Sequence, residues 1–173
     1  MKISSKHLKA IEDKIPKKDQ QKFLNNAIER ALKEHELINA EEVEIFVDGG
    51  SRGNPGPAGG GFAVYSSGKL VLKDSEYFDE MTNNQAEYLA LRLALRETYD
   101  KFGNIKIKCY MDSQLVVEQM NGNYKVKSEN VRPIFNEVQR IADQFKGFSI
   151  EHIHREQNQM ADKLANDAMN RKI

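Results

Sequence analysis

Four carboxylates in this sequence stand at positions that ordinary folding does not require. Asp48 and Asp112 each end an alternating apolar run, "VEIFVD" and "IKIKCYMD", so two strands each deliver an aspartate at the carboxyl end. Glu87 and Asp162 fall on helix faces that are otherwise apolar, namely those of Ala90, Leu91 and Ala94 and of Ala161, Leu164, Ala165 and Ala168. Because a lone buried carboxylate is costly, we expect the four to lie together.

Such a cluster predicts a site for hard divalent cations. The repulsion among the carboxylates must be relieved by protonation or by cations, and Mg²⁺ prefers carboxylate oxygens. Two such ions about 4 Å apart hold the attacking and leaving oxygens of a displacement at phosphorus, which favours phosphodiester hydrolysis. Taken singly, Asp48 and Asp112 are also explained as turn formers, and Asp162 as a first-turn residue favoured by the helix dipole.

The elements that must position these groups alternate as in an α/β protein. We predict strands at about 43–48, 61–66, 69–79, 105–111 and 148–153, and helices at about 84–102, 113–121, 131–145 and 158–171. Strands and helices alternate in the second half, which favours parallel pairing with helices on the faces of the sheet. The stretch "GGSRGNPGPAGGG", 49–61, is predicted to leave regular structure as a loop.

Residues 1–41 are predicted to form a small helical extension before a domain at 42–173. Apolar residues recur at helical spacing from Lys17 to His35, and the pattern changes to strand-like alternation after Asn39. The segment "IPKKDQQKFLNNAIERAL" is similar to the helical part of ribbon-helix-helix proteins, which dimerise and bind DNA. An amphipathic helix that packs on the domain or pairs in a homodimer is the alternative.

Composition limits the classes of partner. Lys plus Arg and Asp plus Glu both number 26, so no overall charge draws the chain to nucleic acid, and an anionic partner must be bound locally or through metal ions. A disulfide framework is excluded because Cys109 is the single cysteine, and its apolar surroundings predict a buried thiol. No apolar run reaches the length of a membrane span and no secretory signal is recognisable, so we expect a cytoplasmic protein without a membrane partner.

Four segments together resemble the catalytic domain of type 1 ribonuclease H. They are "FVDGGSRGNPGPAG", "TNNQAEYLAL", "YMDSQLVV" and "REQNQMADKLAN", in the order of that family, and the resemblance runs from about residue 42 to 168. It implies a five-stranded mixed sheet in the order 3-2-1-4-5 with helices on both faces. It also implies hydrolysis of the RNA strand of RNA–DNA hybrids, giving 5′-phosphate and 3′-hydroxyl ends, with one or two Mg²⁺ ions or with Mn²⁺.

The resemblance assigns roles to individual residues. The metal-binding and catalytic acids are Asp48, Glu87, Asp112 and Asp162. Substrate-binding residues are Asn54, Asn83, Asn84 and Gln114, which match positions that contact the hybrid in its minor groove, and Thr82, which matches a position that helps to hold a DNA-strand phosphate. Turn and helix-cap chemistry is the competing explanation for Thr82, Asn83 and Asn84.

Two departures from the family pattern bear on function. The segment between Asp112 and Asp162 is too short for the extra helix and basic protrusion of some members, and only Lys125 and Lys127, beside Tyr124, remain there. The mobile histidine of many members has no clear counterpart in "IEHIHREQNQMAD". Similarity to short members favours Arg155 in its place, with His154 as second choice, and His152 is interpreted as structural.

Two other functions compete with a hybrid-specific nuclease. One is a different nuclease on the same scaffold, such as a resolvase or integrase, since one fold hosts several chemistries. The segments "TNNQAE" and "DSQ", which serve ribose recognition in the family, argue against it. The other is a nucleic-acid-binding protein that acts through residues 1–41 and whose nuclease domain has lost activity, and the presence of all four acids argues against that.

Overall fold

A computed structural model describes residues 5–38 and 40–171, and the chain divides into two compact units, Met1–Asn39 and Ala40–Ile173. The first unit contains α1 (Ser5–Lys14) and α2 (Lys17–Ile38), which are separated at Pro16. Proline suits a break between two helices, because it lacks the N–H that donates a hydrogen bond in a helix interior. The predicted helix from Lys17 is confirmed and runs three residues beyond His35.

The second unit is built on one five-stranded sheet. Its strands are β1 (Glu42–Ser51), β2 (Gly56–Ser66), β3 (Lys69–Met81), β4 (Lys106–Met111) and β5 (Gly147–His152). The order is β3-β2-β1-β4-β5; β1 pairs antiparallel with β2 and parallel with β4, β2 and β3 are antiparallel, and β4 and β5 are parallel. The predicted mixed sheet and its strand order are confirmed.

Helices pack on both faces of this sheet. They are α3 (Asn83–Phe102), α4 (Gln114–Met120) and α6 (Gln159–Asn170), with one 3₁₀ turn at Arg155–Gln157 before α6. A further helix, α5 (Arg132–Ala142), packs against α3. The face of β1 that carries Val43, Ile45 and Val47 is buried and packs with α3. The opposite face of β1 ends in Asp48, and α6 packs on that side against β1 and β2.

The glycine-rich stretch 49–61 is strand over most of its length, so the predicted loop is wrong except at 52–55. Gly49 pairs with Gly60, and Asp48 pairs with Gly61. Glycine is accepted here because helices approach the strands closely. A Cβ added to Gly49 would lie 2.3 Å from the carbonyl oxygen of Ala86 in α3, and one added to Gly61 would lie 2.5 Å from Cβ of Leu164 in α6.

Two further predictions concern burial. Cys109 is 1% exposed in β4, and burial raises the pKa of its thiol, as expected of a core residue. Among the described residues, no helix combines the length and the apolar character needed to cross a bilayer.

Candidate active site

The four predicted carboxylates line one cavity of about 320 Å³ at the carboxyl edge of the sheet. Asp112 follows β4, Glu87 lies in the second turn of α3 and Asp162 in the first turn of α6. Asp48 lies within β1, which continues to Ser51, so the expectation that Asp48 ends its strand is wrong. The cavity wall also contains Gly49, Gly50, Ser51, Arg52, Asn83, Arg155, Asn166 and Met169. Four separate elements therefore bring their carboxylates to one place.

Strand register accounts for the first pair of carboxylates. Val47 and Met111 are the last pair of the parallel strands β1 and β4, so the aspartates that follow them, Asp48 and Asp112, lie side by side where this pairing ends. Ligands of α/β sheets commonly bind outside the carboxyl ends of the strands.

Close helix packing brings the second pair of carboxylates to the same edge. The first turn of α3 lies against Gly49, which places Glu87 beside the end of β1. On the other face α6 lies against Gly61, the partner of Asp48 in β2, and Asp162 is two residues before the contacting Leu164. A larger side chain at either glycine would push the helix and its carboxylate away.

Burial and mutual repulsion oppose ionisation at two of the four groups. Burial raises the pKa of Asp48 to about 6, and the charges of Asp112 and Asp162 add to this, whereas Arg155 acts in the opposite direction. Burial also raises the pKa of Glu87 to about 7; the hydroxyl of Ser113 opposes this rise, and the charges of Asp48 and Asp112 add to it. A bound cation would stabilise the ionised forms of both.

Protein donors occupy several of the carboxylate oxygens. Glu87 accepts from the Ser113 hydroxyl at Oε2 and from Asn83 Nδ2 at Oε1 (3.2 Å). Asp112 Oδ1 accepts from Asn158 Nδ2 at 3.1 Å. Asp162 Oδ1 forms an ion pair with Arg155 Nη2, at 2.6 Å.

The donor set suits a hard divalent cation, because it consists of carboxylate oxygens whose charges repel one another. As the side chains stand, no three histidine, cysteine or acidic groups within residues 5–38 and 40–171 converge on one metal position. The hydrogen bonds to Glu87, Asp112 and Asp162 hold those carboxylates toward protein donors.

The predicted substrate residues Asn54, Thr82 and Asn83 form one hydrogen-bonded corner beside the cavity. Asn54 Oδ1 accepts from the backbone N–H of Asn83 at 3.1 Å, and Asn83 Oδ1 accepts from the N–H of Ser51 at 3.2 Å. Thr82 caps α3 in a reciprocal capping box with Gln85. Asn83 is the member of this corner that lines the acidic cavity. Thr82 therefore has a helix-capping role, and Asn83 is in addition positioned to contact a ligand in the cavity.

Asn84 lies on a different surface, a groove of about 560 Å³. The groove is lined by Asn84, Leu115, Gln119, Asn123, Tyr124, Lys125, Lys127 and Ser128. Asn84 Oδ1 is buried and has no hydrogen-bond partner among the described residues. Lys125 and Lys127 are exposed here, and the predicted residue Gln114 is exposed at the start of α4 next to Leu115.

The two candidates for the missing histidine differ in position. Arg155 lines the acidic cavity and pairs with Asp162, whereas His154 is exposed and does not line it. The ring of His154 lies 6.2 Å from that of His152, which is exposed at the end of β5. Of these three residues, only Arg155 lines the cavity that contains the four acids.

Several residues at the site were not singled out from the sequence. Asn158 is 1% exposed and donates to both Val47 O (2.9 Å) and Asp112 Oδ1; Asn166 donates to Asp162 Oδ2 at 3.2 Å. Ser113 lies inside the segment "YMDSQ", and its hydroxyl reaches across to Glu87. A polar residue four positions after Asp162 on one helix face was the available signal for Asn166. Asn158 looked like an ordinary helix-start residue.

Comparisons with known proteins agree with this geometry. A family model described as "Reverse transcriptase-like" matches residues 46–168. A bifunctional protein of Mycobacterium tuberculosis is 42% identical over 130 residues, which make up 74% of this chain and 35% of that protein. Ribonuclease HI of Halobacterium salinarum is 39% identical over 128 residues, 73% of this chain and 64% of that protein. The chain thus spans less than two thirds of the length of either relative.

Solved structures give the same match. The N-terminal RNase H domain of the Mycobacterium tuberculosis protein has a TM-score of 0.72 and 41% identity, covering 75% of this chain and 94% of that one. RNase H1 of Halobacterium salinarum has a TM-score of 0.72 and 38% identity, covering 75% and 98%. LC11-RNase H1 in complex with an RNA/DNA hybrid has a TM-score of 0.71 and 39% identity, covering 75% and 97%.

Proposed function

Because this chain belongs to the ribonuclease H family, we propose that residues 42–173 hydrolyse the RNA strand of RNA–DNA hybrids, leaving 5′-phosphate and 3′-hydroxyl ends. The observation that carries the proposal is the convergence of Asp48, Glu87, Asp112 and Asp162 on one cavity from four elements. The similarity to a type 1 enzyme solved with an RNA/DNA hybrid supports the choice of substrate.

The family is divalent-metal-dependent in general, and we assign the metal-binding role to the four acids. One or two Mg²⁺ ions, or Mn²⁺, would neutralise charge at the phosphate and lower the pKa of the attacking water. Asp48 and Asp112, side by side where the pairing of β1 with β4 ends, are the central ligands in this proposal, and Glu87 and Asp162 complete the set from the two helices. Asn158 keeps Asp112 oriented through its hydrogen bond.

Other residues of the chain are assigned to binding and charge. Asn54, Asn83, Asn84 and Gln114 contact the hybrid in its minor groove, where amides recognise base edges and ribose 2′-hydroxyls. Thr82 contacts a DNA-strand phosphate, and Lys125 and Lys127 line the groove beside Asn84 and supply local positive charge that the neutral chain lacks overall.

Arg155 is proposed as the cationic residue at the reacting phosphate, with His154 as the second candidate. The guanidinium already lies in the cavity, where it pairs with Asp162, and its side chain is 73% exposed, so it is free to turn toward a bound phosphate. His154 lies outside the cavity wall. This arrangement favours Arg155.

The proposal is tested by cleavage of one end-labelled RNA strand, presented as a hybrid, as duplex RNA and as a single strand, with Mg²⁺, Mn²⁺ or chelator. Wild type should cut the hybrid only when a metal ion is present, and Asp48→Asn should lose at least about 10²-fold in kcat because a central ligand charge is gone. The matched control is Asp100→Asn, an exposed carboxylate at the end of α3, which should cut like wild type.

Two further variants separate the cationic residues in the same assay. Arg155→Ala should lower kcat by about tenfold or more at saturating substrate, and His154→Ala should leave it near the wild-type value. Full turnover by Arg155→Ala would remove that residue from the proposal. If wild type cut no RNA under any of these conditions, the proposed hydrolysis would be wrong.

The remaining predictions about location and partners stay proposals. A cytoplasmic location is supported by the single buried thiol of Cys109, which fits a reducing compartment. A homodimer or a nucleic-acid contact through residues 1–41 is supported by the exposed apolar side chains Phe23 and Ile28 and by the basic residues of α2.

A further inference from the structure

A second cavity, of about 210 Å³, lies on the α6 side of the sheet and has no part in the proposed hydrolysis. It is lined by Glu44, Phe46, Tyr65, Gly68, Gln157, Asn158 and Met160. A water molecule takes about 30 Å³ in the liquid, so the cavity has room for several waters or for one group the size of a side chain. Its wall combines an acid, aromatic rings and a thioether.

The acidic group in this wall forms no ion pair with any described residue, and its charge acts on Lys108 only at longer range. Glu44 forms no ion pair within the described part of the chain, and the nearby Lys108 pairs with Glu42 instead, at 3.1 Å. Glu44 Oε1 accepts only a long hydrogen bond, of 3.3 Å, from the hydroxyl of Tyr110. A half-buried carboxylate of this kind gains most from a cation that enters the cavity.

Two aromatic rings, those of Phe46 and Tyr65, line the cavity beside Glu44. Phe46 lies between Tyr65 and Tyr110, with ring centroids 5.5 Å and 5.0 Å away, and Tyr65 stands opposite Glu44 in the β1–β2 register. Ring faces attract cations within about 6 Å, and a planar guanidinium also stacks on them. The lining therefore favours an organic cation with an apolar stem over a hydrated metal ion.

We propose that this cavity binds an alkylguanidinium group, with Glu44 as counter-ion and Phe46 and Tyr65 as stacking surfaces. A guanidinium carries five N–H donors on a planar, permanently charged frame, which matches an acid flanked by two rings. Asn158 lines the same cavity and donates to Asp112, so the ligand would lie beside the residue that orients a proposed catalytic acid. Such a ligand is either a free small molecule or the arginine side chain of a polypeptide.

The test is a titration of the full chain with ethylguanidinium, followed by the methyl resonance of Met160 in methyl-labelled protein. We expect a saturable shift, binding about tenfold weaker in Glu44→Gln, and no saturable shift with the neutral isostere ethylurea. Glu151→Gln is the matched control, because it removes a carboxylate from the neighbouring β5 that does not line the cavity, and it should bind as wild type does.

A second pair of ligands identifies the source of the group. A blocked tripeptide with a central arginine is compared with its citrulline analogue; tighter binding of the arginine peptide than of ethylguanidinium indicates a polypeptide partner, and weaker binding indicates a free small molecule. Phe46→Leu, which keeps apolar volume but loses the ring, should weaken binding severalfold. The proposal is overturned if no ligand gives a saturable shift, if ethylurea binds equally well, or if Glu44→Gln and Phe46→Leu both bind unchanged.

Discussion

At the scale of single residues, the fold opposes ionisation of Glu87 and Asp48. Both carboxyls are raised in pKa chiefly by burial, to about 7 and about 6. The folded protein therefore pays free energy to ionise these two carboxyls, as expected of a site that holds charged ligands close together for a cation. Because a bound cation would favour the ionised forms, metal binding should change how the free energy of unfolding depends on pH.

Glu87→Gln should change that pH dependence in a defined direction. Between about pH 4.5 and 7 the folded protein holds a proton on Glu87 that the unfolded chain has released, so wild-type stability falls as pH rises and then levels off. The variant stays neutral. Its free energy of unfolding relative to wild type should therefore increase by about 2–3 kcal/mol from pH 4.5 to pH 8 in chelator.

Denaturant unfolding at the two pH values, with and without Mg²⁺, measures this difference. Asp100→Asn, whose carboxylate is exposed, should show no such change. Adding Mg²⁺ should stabilise wild type more than the variant and shrink the gap, because a bound cation favours the ionised carboxylate. An equal pH dependence in Glu87→Gln and wild type would contradict the burial of charge at this position.

At the scale of elements, the glycines of β1 and β2 decide how closely the helices approach. Gly49→Ala should destabilise the domain by about 1–3 kcal/mol, since the new Cβ would lie 2.3 Å from a backbone oxygen of α3 that cannot turn aside. Gly147→Ala, at the start of β5, is the matched control. Its Cβ would meet nothing nearer than 3.5 Å, so thermal unfolding should be nearly unchanged.

The experiment also connects packing to the site. Displacing α3 moves Glu87, so Gly49→Ala should lose activity beyond what its stability loss explains when both are measured well below the melting temperature. Equal melting temperatures for the two alanine variants would show that α3 has room to shift, contrary to the close packing at Gly49.

A buried side-chain network ties α3 to the loop that carries the groove lysines. Tyr88 is fully buried, and its hydroxyl donates to Gln119 Oε1 at 2.9 Å, while Gln119 Nε2 donates to the carbonyl of Lys125 at 3.3 Å. Tyr88→Phe leaves the Gln119 oxygen without its donor, at a cost of about 1–3 kcal/mol. We expect KM for the hybrid to rise and kcat to change by less than about twofold. The reason is that the substitution loosens the loop that carries Lys125 and leaves the four acids in place.

Steady-state kinetics at several salt concentrations checks this prediction, since loss of lysine contacts to phosphates lowers the salt dependence of binding. Tyr99→Phe is the control on the same helix; the Tyr99 ring packs on Phe145, and neither residue lines the groove. A fall in kcat with KM unchanged would mean that Tyr88 acts on the acidic cavity instead of the loop.

At the scale of the whole molecule, the chain consists of a helical unit and a sheet-based unit that holds every proposed catalytic residue. Removing residues 1–40 should therefore leave a folded protein with kcat within about twofold of the full chain. We expect KM for the hybrid to rise, because the neutral chain has few basic groups near its groove and α2 carries several lysines.

Circular dichroism melting and cleavage kinetics of the truncated and full chains measure both effects. A truncated protein that does not fold would contradict the domain boundary near residue 41. An unchanged KM would assign residues 1–41 to dimerisation or to another partner, and sedimentation of the full chain would then separate those two.

Local sequence patterns were enough to predict the class of fold and to select the candidate acidic residues. Alternation in "VEIFVD" and "IKIKCYMD" and the misplaced carboxylates at Glu87 and Asp162 are local patterns, which depend only on strand and helix periodicity. The motifs were specific enough to predict the strand order that the structure shows. These features could be predicted because each depends on the types and spacing of a few residues that are close in sequence.

The contacts that hold the acids, and the residues around them, could not be predicted from local patterns. Composition made 49–61 look like a loop, yet those glycines are paired strand residues, because α3 and α6 come within contact of the backbone there. Asn158 looked like a helix-start residue until folding placed its amide between Val47 and Asp112. Contacts between segments distant in sequence leave no local periodicity, and therefore only the packed structure reveals them.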